Sequence, residues 1–190
     1  MNYTSEQIYK YTKYLTTHIA RAREAMRRFV NSEFFKGLEN SDILKDGISI
    51  DSGTDLLSRV ELHDNSKWRY DEFWAYLNHF YSNKDESAPD PEFDLACERH
   101  YSRNPHHVDY WRLEGRTPDE MTFGAICEML ADWVSMSVYN CSAPSNWYDT
   151  HKDVLDGMSE NKRKTVEYLL TEGFEPIYYQ LMEELSKEKK

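Results

Sequence analysis

Apolar residues recur at three- and four-residue steps along most of the chain, the period of a helix packed by one face. Ile8, Tyr11, Leu15, Ile19, Ala22, Met26 and Phe29 trace one such stripe and predict an amphipathic helix over residues 5–30, with His18 on it. Residues 31–53 contain Gly37, Gly47 and Gly53 and a short alternation at Gly47-Ile48-Ser49-Ile50. They read as an insertion-like loop with room for a brief strand pair. Leu56, Leu57 and Val60 predict a helix over 54–63, whose inner face carries His63-Asp64 three and four residues after Val60. An aromatic-rich helix is expected over 71–81. Ser87-Ala88-Pro89-Asp90-Pro91 then breaks the chain, and a helix over 92–101 aligns Phe93, Cys97 and His100.

Further along, Asn104-Pro105 reads as an N-cap followed by a first-turn proline, which would place His106 and His107 at a helix start. Thr117-Pro118-Asp119-Glu120 has the form of a capping box. From Thr122 to Asn140 the only charged residues are Glu128 and Asp132, so this helix is expected to run through the middle of the domain with both carboxylates on one face. Residues 140–157, with Pro144, Trp147, Tyr148 and Gly157, form a long connection suited to the rim of a pocket. Within 158–190, helices are expected over 160–171 and 176–186, divided by Gly173. Ile177, Leu181 and Leu185 on one stripe would pack inside the domain or against a second copy in a homo-oligomer. With no repeat or linker, residues 1–190 read as one all-α domain, a helical bundle.

Composition narrows the function classes. Hydrophobic residues make up 39% and aromatic residues 14%, enough to build a core and to argue against disorder. The net charge of -11 opposes a nucleic-acid backbone, so no polymeric nucleic acid is expected as partner. The start MNYTSEQIYKYTKYL has no basic, then apolar, signal pattern, and no stretch is apolar for long enough to cross a membrane. A cytoplasmic location is the expectation. Cys97, Cys127 and Cys141 are odd in number and form no CxxC pair, which points to reduced thiols.

The chemistry lies in an ordered set: His18, His63-Asp64, His100, His106-His107 and Asp132. An ionised aspartate inside a helical domain carries a desolvation penalty of several kcal/mol unless it is paired or bound to a cation. Imidazoles offer neutral donors, and a carboxylate can bridge two ions, so the set suits one or two divalent metals among Mn, Fe, Co, Ni, Zn and Mg. Each member also has a plainer reading. His18 alone could be a packing residue, and His63-Asp64 could close a helix C-terminus. His106 and His107 would diverge by about 100° on a helix, leaving one of them to ligate. Lys67 could be solvated, and Glu128 could orient a histidine or form an ordinary salt bridge. Trp68, Trp74, Trp111, Trp133 and Trp147 read as core, and His79 and His151 as surface residues.

With these residues in view, the chain resembles the HD-domain metal-dependent phosphohydrolase superfamily, whose pattern is a histidine on the first core helix, an HD pair and a distant aspartate. His18, His63-Asp64 and Asp132 match it in order, and Lys67 in HDNSK matches the lysine three residues past the pair. The two-metal branches carry further histidines where this chain has His100, His106 and His107. The segments HDNSKW, NPHHVDYW and EMLADW also resemble an uncharacterised bacterial and phage domain family in or near this superfamily. The GYP signature is absent and residues 31–53 look inserted, so cyclic-dinucleotide specificity is not implied. The resemblance implies hydrolysis of a small phosphorylated compound, first of all a nucleotide, by a metal-activated water. Asp64 would bridge the ions and Asp132 orient the nucleophile, while Lys67 and Arg103 would offset phosphate charge. It extends also to HD-type di-iron oxygenases, which use similar ligands. A non-catalytic metal- or nucleotide-binding protein is the third reading.

Overall fold

A computed structural model describes residues 3–38, 49–82 and 89–188. Helix α1 (Ser5–Asn31) starts at a complete capping box, with Thr4 accepting from the Gln7 backbone and the Gln7 side chain answering the Thr4 N–H. Its expected stripe is buried from Tyr11 to Phe29, His18 included. α2 (Glu33–Gly37) follows at once, capped by Ser32. Part of the expected loop is therefore helical, and Gly47 and Ile48 of its alternation lie outside the described residues. α3 (Gly53–Val60), α4 (Tyr70–Tyr81) and α5 (Pro91–Arg103) come next. α6 (Phe123–Asn140) is capped by Thr122 and buried nearly all round. α7 (Pro144–Thr150) occupies the 140–157 connection. α8 (Glu160–Tyr168) passes through a π-helical turn at Leu169–Phe174 into α9 (Glu175–Glu188). No strand occurs among the described residues, and none of their helices is long and apolar enough to cross a membrane.

The described chain is an all-α domain built around α6, which packs against α1, α3 and α9. α1 divides its partners. Its first half joins a small cluster with Tyr76, Leu77 and Ala96 from α4 and α5, and its second half enters the main core with α6 and the C-terminal helices. Burying a Leu or Phe of this kind contributes about 1.5–3 kcal/mol relative to exposure. Phe29 stacks on Phe174 with ring centroids 4.3 Å apart. The last stripe, Ile177 and Leu181, is buried within this domain.

Four local expectations change. Gly173 does not divide two helices. It sits inside the π turn, where an added Cβ would meet Phe29 Cε2 at 2.9 Å and Phe34 Cε1 at 3.0 Å, so the glycine permits close packing. The capping box at Thr117 opens only a 3-10 turn, Pro118–Glu120, because Met121 leaves helical geometry before Thr122 caps α6. Asn104 closes α5 instead of opening a helix: its amide returns to the His100 carbonyl at 2.6 Å, and His106 and His107 sit in the turn before a 3-10 segment, Val108–Arg112. Trp68 and Trp147 are each 40% exposed and so are not core, while His79 is half-buried, stacked on Phe93 and within 3.3 Å of Asp90.

Candidate metal centre

The HD pair lies beyond α3 rather than on it. Helix α3 ends at Val60, and Asp64 adopts a left-handed backbone (φ 54°, ψ 18°) before the 3-10 turn Asn65–Trp68. That conformation costs a residue with a side chain roughly 1–2 kcal/mol. It buys convergence: consecutive side chains on a helix would point about 100° apart, whereas His63 and Asp64 here both face the interior at 1% exposure. The turn before Val108 does the same for His106 and His107, whose rings lie 4.2 Å apart.

Asp64 is the centre of the cluster. Its Oδ2 lies 3.1 Å from His18 Nε2, 3.8 Å from His63 Nε2 and 2.6 Å from Lys67 Nζ. Its Oδ1 lies 3.2 Å from His100 Nε2 and 3.5 Å from His106 Nε2. Asp132 Oδ1 reaches His18 Nε2 at 3.1 Å and His63 Nε2 at 3.7 Å. His107 Nε2 approaches His100 Nε2 at 2.9 Å. Donor atoms thus form overlapping groups within metal-binding reach: Asp64 with His100, His106 and His107; Asp64 with His18 and His63; and Asp132 with His63 and His106. All seven residues expected as ligands are brought together.

The far side of most of these imidazoles is already spoken for. His63 and His106 each place Nδ1 on Glu128 Oε1, at 3.2 and 3.1 Å, and His100 places Nδ1 on Glu72 Oε2 at 3.1 Å. A carboxylate accepts only, so each Nδ1 carries the proton. At His18 the Ser135 hydroxyl donates to the His18 carbonyl at 2.9 Å and leaves its oxygen to accept from Nδ1, also at 2.9 Å. In their neutral forms these four rings therefore aim bare Nε2 lone pairs at the carboxylates and at one another. Lone pairs facing anions at 3.1–3.5 Å repel, and two of the atoms involved, Asp64 Oδ1 and His106 Nε2, are buried without a hydrogen-bond partner. A cation among them removes the conflict. Without one, protons on His63 and His106 are favoured. Burial opposes this for His63, but the Asp64 charge and hydrogen bonds to Asp132 and Glu128 raise its pKa to about 10. Burial would likewise raise Glu128, yet hydrogen bonds from His106 and His63 hold it near 2. Asp64 and Asp132 are also held well below the usual carboxylate range, against their own desolvation, by Lys67 and His63 and by His18 and His63 respectively.

Glu128 and Glu72 have the same design. Each carboxylate stands between histidine and arginine: Arg59 Nε reaches Glu128 at 2.7 Å, and Arg103 Nη1 reaches Glu72 at 2.6 Å. Such carboxylate–histidine partners orient metal ligands and raise their basicity. Glu128 thus combines both roles foreseen for it. Arg103, expected at a substrate phosphate, instead has its guanidinium divided between Glu72 and Asp71. Glu72, fully buried, and Ser135 are the supporting groups that sequence reasoning missed. The only signal for Glu72 was an acidic residue one turn before Tyr76 on an aromatic face.

Asp132, at 15% side-chain exposure, opens the cluster onto a cavity of about 450 Å³. Trp133, Trp147, Met129, Met136 and Tyr101 line it beside His106 and His107, and no lysine or arginine among the described residues does. The 140–157 connection, as expected, supplies part of this rim through Pro144, Asn146 and Trp147. Residues 7–172, which contain the entire cluster, match the model of a family of unknown function, DUF5662. The chain belongs to the DUF5662 family. No curated protein and no solved structure matches it.

Proposed function

We propose that this cluster is a two-cation centre and that the protein is a metal-dependent phosphohydrolase of the HD type, acting on a small phosphorylated compound such as a nucleotide. The observation that carries the reading is the division of Asp64: one carboxylate oxygen faces His18 and His63, the other faces His100 and His106. A bridging carboxylate with a histidine set on each side is what a pair of divalent ions requires. His107 would complete the second set, and Asp132 the first. Bound divalent ions would supply Lewis acidity at the phosphoryl group and lower the pKa of a coordinated water toward about 7.

The remaining tasks belong to the chain. Glu128, Glu72 and Ser135 hold the Nδ1 atoms of four imidazoles, so that Nε2 of His18, His63, His100 and His106 faces inward. Lys67, held on Asp64 at 2.6 Å, keeps a positive charge beside the reacting group, where it would offset charge developing on the phosphoryl oxygens. Asp132 stands where the cluster meets the cavity and would orient the attacking water. The aromatic cavity would take the non-phosphate part of the substrate and exclude bulk water. The test is hydrolysis of a nucleotide panel with manganese, magnesium or cobalt. Wild type should release phosphate and Asp64→Ala should not; equal rates in the two would overturn the reading.

One observation favours a second reading, an HD-type di-iron oxygenase: the cavity next to the cluster has aromatic and methionine walls with no lysine or arginine among the described residues, which suits an uncharged substrate. Iron-loaded protein that consumes dioxygen only in the presence of a substrate, with no phosphate release from the panel, would select it.

A further inference from the structure

Basic side chains, absent from the aromatic cavity's described lining, occur in a groove beside Tyr14. A second concavity, of about 330 Å³, is walled by Lys10, Lys13, Tyr14, Thr17 and Arg21 of α1 together with Tyr81 and Tyr139, and its floor is His18 and Ser135. Positions 10, 13, 14, 17 and 21 fall on one face of a helix. The Tyr14 hydroxyl donates to Met136 Sδ at 3.4 Å, and Met136 lines the aromatic cavity, so this contact links a wall of the groove to a wall of the cavity. Lys10 is paired with Glu6 at 2.7 Å, but no carboxylate among the described residues engages Lys13 or Arg21. In a chain of net charge -11, two cations on one groove without a carboxylate partner among the described residues are a local concentration of positive charge.

We propose that this groove is a binding site for the phosphate chain of a polyphosphate-bearing ligand. Lys13 and Arg21 are eight residues apart, about 12 Å along the axis. Two long side chains can close that gap onto an extended chain of phosphates, whereas a single tetrahedral anion would meet only one of them. Arg21 supplies a planar fork for two phosphate oxygens and Lys13 a point charge. Tyr139, edge-on to Tyr14 at 5.2 Å and 58% exposed, offers a hydroxyl at the open side. The groove floor is the back of His18, so a phosphate chain held here lies behind that ligand of the cluster and outside the aromatic cavity. The site stands on Lys13, Arg21 and the groove. Only the identification of its ligand as a substrate tail rests on the phosphohydrolase reading.

The experiment is calorimetric titration of inorganic tripolyphosphate into the full chain after chelator treatment, so that binding by metal ions is excluded. Wild type should bind, more tightly at low ionic strength. The double variant Lys13→Glu/Arg21→Glu should bind at least tenfold more weakly, and Lys164→Glu, far along the chain on α8, should bind as wild type does. If the double variant does not fold by circular dichroism, Lys13→Gln and Arg21→Gln singly should each weaken binding several-fold. No binding by chelated wild type, or equal binding by the variants, would overturn the groove. Binding that persists in protein whose manganese-loaded form hydrolyses no nucleotide would support the groove and overturn the phosphohydrolase reading alone.

Discussion

Helix α1 crosses two regions of the core about three turns apart. At Phe29 it stacks on Phe174 at 4.3 Å among Phe34 and Phe35; at His18 it faces Asp64 and Asp132 at 3.1 Å each. The first region is held by area and shape, and every group there gains from being out of water. The second is held by compensation, since its carboxylates and imidazoles gain only if their charges and lone pairs are met. Burial is nearly the same in both, yet the first should be indifferent to divalent ions and the second governed by them.

The largest expected effect breaks the first region. Phe29→Ala should cost about 3–5 kcal/mol in urea denaturation, while the refolded protein keeps the wild-type cation stoichiometry; a changed stoichiometry would mean that the regions are not separable. Next, manganese at a hundred times the dissociation constant of a site should stabilise the wild type by about 2.7 kcal/mol through that site. A chelator should reverse that gain, and Asp64→Ala should not show it at all. Smaller still, Glu128→Gln and Glu72→Gln should each weaken cation binding by about 10- to 100-fold without removing a ligand. Glu128 supports His63 of one set and His106 of the other, whereas Glu72 supports only His100, so equilibrium dialysis should show both sites weakened in Glu128→Gln and one in Glu72→Gln. The smallest effect is Ser135→Ala, about 1 kcal/mol for the lost hydrogen bonds, seen as a lowered melting temperature together with a His18 ring whose tautomer, read by nitrogen NMR, is no longer fixed.

The same contrast explains what could be read along the chain. Apolar periodicity located α1 over 5–30 and α6 over 122–140 almost to the residue, because a stripe of area is a property of spacing. The ordered histidines and aspartates are legible as a set from residue type and order, since these are the donors that borderline divalent ions take. What spacing does not carry is direction at chain reversals. Asp64 was expected on a helix and lies in a left-handed turn. Asn104 looked like a start and closes α5, because its amide finds the His100 carbonyl behind it. Gly173 looked like a break and is a contact, a distinction that depends on Phe29 lying opposite it. Arg103 looked like a phosphate ligand, but Glu72 and Asp71, one helix away, claim it first.

The most direct test of the central claim is the metal content of the protein, purified without chelator and dialysed against manganese, read alongside Asp64→Ala prepared in the same way. The account predicts two ions per chain in the wild type, with both lost when the shared carboxylate is removed. Wild type that retains no ion, or a variant that retains as many as wild type, would contradict it.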